Sequence, residues 1–90
     1  MQAQPLWLML TDLARRLDIE VRLEYLEAPE LGLASGGLCL IRGRRVVFID
    51  KRLNQEARIL QLAESLRGQD WEQHHMLPAL RALLDDQEGA

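Results

Sequence analysis

Hydrophobic positions recur along this chain with two different periods, and each change of period marks an element. From Pro5 to Leu17 the residues Leu6, Met9, Leu10, Leu13, Ala14 and Leu17 come at three- and four-residue steps, the stripe of an amphipathic helix. Pro5 suits the first turn, where a missing amide hydrogen has no partner to lose. Trp7 and Leu8 widen the stripe toward further neighbours. After Asp18 the period drops to two: Ile19, Val21, Leu23 and Tyr25 alternate with Glu20, Arg22 and Glu24, which predicts a strand with one dry and one wet face. Residues 27–37 then carry Pro29, Gly32 and Ser35-Gly36-Gly37 and read as the longest irregular segment.

Leu38 to Arg42 and Arg45 to Asp50 are short runs rich in branched residues on either side of Gly43-Arg44. Glycine at the first of two central positions suits a type II′ turn, so the runs are expected to pair as an antiparallel hairpin. That turn sets Arg42 opposite Arg45, Ile41 opposite Val46 and Cys39 opposite Phe48, and leaves Leu38, Leu40, Val47 and Ile49 on the other face. Asn54 as N-cap, Glu56 in the first turn, the apolar series Ala57, Ile59, Leu60, Leu62, Ala63 and Leu66, and Gly68 at the end predict a second helix over 54–67. Asp70 is placed to cap a short turn through Trp71 and Glu72. Pro78 disfavours helix at Leu77, so the last helix is expected to start at Pro78 and carry Leu80, Leu83 and Leu84 inward; a single kinked helix from Asp70 to Asp85 is the alternative. Gln87 to Ala90 is expected to fray. The expected fold is therefore one α+β domain over 1–90: an N-terminal helix, a three-stranded antiparallel sheet including the hairpin, and two C-terminal helices.

The hairpin is apolar on both faces, and helices on one side of a sheet leave the other row open. A second layer must cover it. It can come from the C-terminal helix or from another copy of the chain in a twofold dimer, so Leu38, Leu40, Val47, Ile49, Leu80 and Leu84 are the interface candidates.

Composition narrows the picture without naming a function. Hydrophobic residues at 48% and charged residues at 28% fit a folded domain, and ninety residues leave room for one core. With only Trp7, Tyr25, Phe48 and Trp71 as aromatics, that core is aliphatic. The first residues lack the basic start and cleavage site of a signal peptide, no run approaches a membrane span, and the single cysteine, Cys39, forms no internal disulfide. A cytoplasmic location is expected. The net charge of −3 disfavours nucleic acid and membranes as partners of the whole chain, but Arg42, Arg44, Arg45, Lys51 and Arg52 face only Asp50 over eleven residues and are the anion-binding candidates.

The order of elements from the hairpin to the second helix resembles the core of the zinc metallopeptidases of the ImmA/IrrE type, where an apolar strand leads to a helix bearing His-Glu-x-x-His. Here Val46-Val47-Phe48-Ile49-Asp50 leads to a helix with Glu64 at the glutamate position but Ala63 and Arg67 at the histidine positions. The resemblance implies a related fold over half of the chain and no zinc hydrolysis, because alanine has no metal-binding atom and arginine repels a cation. Ser35-Gly36-Gly37-Leu38-Cys39, Val47-Phe48-Ile49-Asp50 and Leu77-Pro78-Ala79-Leu80-Arg81 also look like a family of short uncharacterised bacterial proteins, which implies a fold and no mechanism.

Other chemistry is sparse. His74 and His75 are adjacent and would diverge by about 100° on a helix, so they form no joint site. Cys39 between Leu38 and Leu40 reads as a small buried hydrophobe. Ser35-Gly36-Gly37 lacks the following helix and lysine of a phosphate loop. No metal, cofactor or catalytic residue is assigned. The leading expectation is a non-catalytic interaction module acting as a homodimer, with an unidentified protein as a further partner. Behind it stand an anion-binding or nucleic-acid-binding module using 42–52, and a degenerate metallopeptidase-like domain.

Overall fold

A computed structural model describes residues 3–25 and 37–85. Its elements are helix α1 (Ala3–Arg16), strands β1 (Glu20–Glu24), β2 (Gly37–Ile41) and β3 (Arg44–Asp50), helix α2 (Gln55–Arg67) and helix α3 (Pro78–Leu84). The α+β architecture and element order match the reading of the sequence. Most of the irregular segment expected over 27–37 and the fraying expected at Gln87 to Ala90 lie outside the described residues.

The helix ends follow local chemistry. At the end of α1 the N–H of Ile19 bonds to the carbonyl of Ala14 (2.8 Å) and that of Asp18 to Arg15 (3.0 Å), a Schellman closure with Asp18 at φ 63°. The chain is thereby turned into β1. Asn54 caps α2 through its Oδ1, which accepts from the Ala57 N–H at 2.8 Å. Gly68 ends α2 at φ −84°, without a left-handed step. Pro78 opens α3, and residues 70–77 form no helix, which removes the single kinked helix as an alternative. Asp70 holds the Gln73 side chain at 2.8 Å in the turn that replaces it.

The sheet departs from the expected antiparallel form. Its order is β1-β3-β2, with β3 in the centre, β2 antiparallel to it and β1 parallel to it. The hairpin forces β2 and β3 to run in opposite directions; β1 ends and β2 starts at the same end of β3, Glu24 beside Asp50 and Gly37 beside Phe48, so β1 runs against β2 and with β3. A central strand is dry on both faces, and this accounts for the unbroken buried run Val46-Val47-Phe48-Ile49.

The hairpin register also differs from the expected one. Ile41 pairs with Arg44, Cys39 with Val46 and Leu38 with Val47, around a turn at Arg42 and Gly43 whose φ angles are 53° and 77°. Two positive φ values make a type I′ turn, whose twist matches the strands. The chain accepts a left-handed arginine to gain that match. Moving the turn by one residue shifts the pairing by two, so every side chain keeps its expected face.

Val47 and Ile49 face the helices, with Val21 and Leu23 of β1 at their sides. Helices α1 and α2 pack together over this face, and α3 packs on those two helices rather than on the sheet. The main core joins Leu10, Leu13, Leu62, Leu66, Leu80 and Leu84 to Val47 and Ile49. On the opposite face Val46 and Phe48 form a small cluster with Cys39, and the Arg22 guanidinium lies 5.7 Å from the Phe48 ring centre. Trp71 fills the core from the 68–77 connection, its Nε1 donating to the Arg67 carbonyl at 3.1 Å. Arg81 stacks on that ring at 5.4 Å and donates to the carbonyls of Glu72 (3.3 Å) and His74 (3.1 Å). One side chain thus pins the connection to α3.

Candidate functional site

The five cations of the 42–52 segment do not converge. Arg42 and Arg44 sit at the turn end of β3, while Lys51 and Arg52 follow its other end, about 20 Å away at the usual rise of a strand. Several are also committed within the chain. The Arg45 guanidinium donates to Gln69 Oε1 at 2.8 Å and to the Leu17 carbonyl, tying β3 to the ends of α1 and α2. Arg44 Nε lies 3.4 Å from Glu20, and Arg52 holds Asp50 through its Nη2 at 2.8 Å and its backbone N–H at 2.9 Å. The Arg52 side chain first, and then its backbone N–H, keep the Asp50 carboxyl below its ordinary pKa. Lys51 and Arg52 lie 5.4 and 6.0 Å from the ring centre of Tyr25, which leaves β1 and is 65% exposed. Neighbours along a strand share no surface when the strand separates them, so the expected anion patch dissolves into two ends and a set of internal struts.

The histidine-motif positions on α2 are equally unsuited to a ligand. Ala63 is fully buried, Glu64 is exposed, and Arg67 Nη2 donates to the Leu83 carbonyl at 3.0 Å. That face of α2 is packed against α3. Among the described residues no three His, Cys, Asp or Glu side chains are grouped to hold a metal ion, and no helix is long and apolar enough to cross a membrane.

The interface candidates divide. Val47, Ile49, Leu80 and Leu84 lie in the chain's own core at 0–1% exposure, so they are not available to a second chain. The C-terminal helix, one of the two layers considered for the hairpin, does not cover it: α2 packs on β2 and β3, α1 packs on β1, and α3 lies behind them on α1 and α2. Leu38 and Leu40 share the face of Val47 but sit on the edge strand, where they stay 36% and 71% exposed. Ile41 on the other face is 39% exposed. Three apolar side chains therefore remain open on one five-residue strand.

The two edges of the sheet have opposite chemistry. Edge β1 carries Glu20, Arg22 and Glu24 on one face, with Arg22 Nη2 at 2.9 Å from Glu24. Paired antiparallel with its own copy about Arg22, this strand would set arginine against arginine and Glu20 against Glu24. Like charges directly opposite repel, and such charges are how sheets protect an edge from pairing. Edge β2 reads Gly37-Leu38-Cys39-Leu40-Ile41, with no charge, no proline and no bulge. Among the described residues it is the undefended edge. The alternation of apolar residues was visible in the sequence, but its position at an edge depends on β1 taking the far side of β3.

Comparison of the chain with family models, curated proteins and solved structures finds no match.

Proposed function

We propose that this chain is a non-catalytic protein-interaction module that works as a homodimer, its second copy meeting it along the β2 side of the sheet. The observation that carries the reading is the contrast between the edges, one closed to self-pairing by charge and the other apolar and open. A hydrophobic contact between copies offsets the exposure of Leu38, Leu40 and Ile41, and it needs none of the scattered cations. Such a dimer persists in added salt, whereas phosphate binding weakens steeply.

Sedimentation equilibrium over roughly 1–500 µM tests the reading, a range that spans modest affinities. The wild type is expected to approach twice the chain mass. Leu40→Asp places a carboxylate in the seam from each copy and is expected to weaken association by at least about 100-fold, equivalent to about 2.7 kcal/mol. Because Leu40 is largely exposed within the single chain, the variant keeps its circular dichroism, and Leu40→Lys behaves the same way. A wild type that stays monomeric throughout, or a variant that dimerises equally well, overturns the proposal.

A further inference from the structure

We infer that two copies join β2 to β2 in one antiparallel register, with Cys39 of each copy facing the other across the twofold axis; the inference rests on the homodimer reading and specifies its contact. The closing pair of a two-residue hairpin is hydrogen-bonded, and antiparallel pairs alternate from there. Ile41–Arg44 is that closing pair, so Cys39–Val46 and Gly37–Phe48 are also bonded pairs, and Leu40–Arg45 and Leu38–Val47 are not. The backbone N–H and C=O of Leu38 and Leu40 therefore point away from β3, to the free edge.

Only residues 38 and 40 of the strand offer hydrogen bonds outward, and this restricts how a copy can dock. A symmetric antiparallel pair has its axis at 38, 39 or 40. With the axis at 39, Leu38 of each copy exchanges both hydrogen bonds with Leu40 of the other, Gly37 meets Ile41, and all five residues of both strands are paired. An axis at 38 or 40 leaves a leucine and its backbone groups beyond the end of the partner strand. The axis at 39 also lays Leu38 beside Leu40 of the second copy on the helix-facing side, extending the row of Val47 and Ile49 across both chains. No like charges meet within the strand. A second copy is thus the occupant whose hydrogen bonds, apolar side chains and charge all match this edge.

Cys39 then occupies a non-hydrogen-bonded pair with itself, where opposed Cα atoms approach to about 4.5 Å, inside the range that a disulfide can bridge. As the only cysteine of the chain it reports the register directly. Copper phenanthroline serves as the oxidant, taking up the two electrons released when two thiols form one S–S bond and two protons. The wild type is expected to convert almost completely to a covalent dimer. Leu40→Asp is expected to lose the product. Moving the cysteine, as Cys39→Ala with Leu40→Cys, also loses it, because the two residues at position 40 stand about 8 Å apart in this register, beyond bridging distance.

Light scattering of the same samples separates the two proposals. A dimeric wild type whose Cys39 does not cross-link, or a Leu40→Cys variant that links as readily, overturns the register and leaves the homodimer standing. Cross-linking undiminished in Leu40→Asp marks collision and overturns the register as well. A monomeric wild type removes both.

Discussion

Val47→Asp is expected to destabilise the chain severely, although the same substitution seven residues earlier, at Leu40, leaves its stability nearly unchanged. Both side chains lie on the helix-facing side of the hairpin, but Val47 is 0% exposed beneath α2 while Leu40 is 71% exposed. Removing the buried valine forfeits about 1.5–3 kcal/mol of burial, and an unpartnered carboxyl in a dry core costs about 2 kcal/mol or more. A chain of this length has a net stability of about 5–13 kcal/mol, so a loss of about 3.5–5 kcal/mol or more is a large share of it. Urea unfolding followed by circular dichroism is expected to show a lowered or absent cooperative transition. A Val47→Asp protein as stable as the wild type would mean that this row is not covered by the chain's own helices.

Trp71→Ala is the second large effect, about 3–5 kcal/mol and a fall in Tm of roughly 15–30 °C. The indole fills the core, satisfies the Arg67 carbonyl, and carries the Arg81 guanidinium that holds the 72–74 backbone. Its loss opens a cavity and frees the connection to α3 together. Trp71→Phe keeps a ring under Arg81 but strands the carbonyl, so about 1–3 kcal/mol is expected. If the two variants lose equal stability, the ring is not what anchors the connection.

The helices of this fold were legible because their signals are local. The stripe of Leu10, Leu13, Ala14 and Leu17, the Asn54 cap and Pro78 act within one or two turns, and the structure places each where the periodicity puts it. The sheet was less legible because its order is a property of the whole chain. Nothing in Glu20 to Glu24 states whether the strand runs with or against β3. The hairpin turn failed for a narrower reason: Gly43 suits the first place of a type II′ turn and the second place of a type I′ turn, and the left-handed conformation of Arg42 decides between them.

The same distinction governs the candidate sites. Sequence adjacency suggested a basic patch over 42–52, yet a seven-residue strand carries its two ends apart, and Arg45 turns inward to Leu17 and Gln69. Leu38, Leu40, Val47 and Ile49 were correctly read as one face, because period two is local. Which of them would be covered was not readable, because that depends on how far α2 reaches across the hairpin. Leu40 lies beyond that reach.

Hydrogen exchange at the β2 amides tests the pairing of two copies most directly. Cys39 and Ile41 donate to β3 within one chain and are expected to exchange slowly at every protein concentration. Leu38 and Leu40 point outward, and their amides are expected to be protected at concentrations where the measured mass is that of a dimer, and to exchange freely on dilution to the monomer. Free exchange at Leu38 and Leu40 in a sample that is dimeric by mass would contradict the account, because the second copy would then sit somewhere other than on this edge.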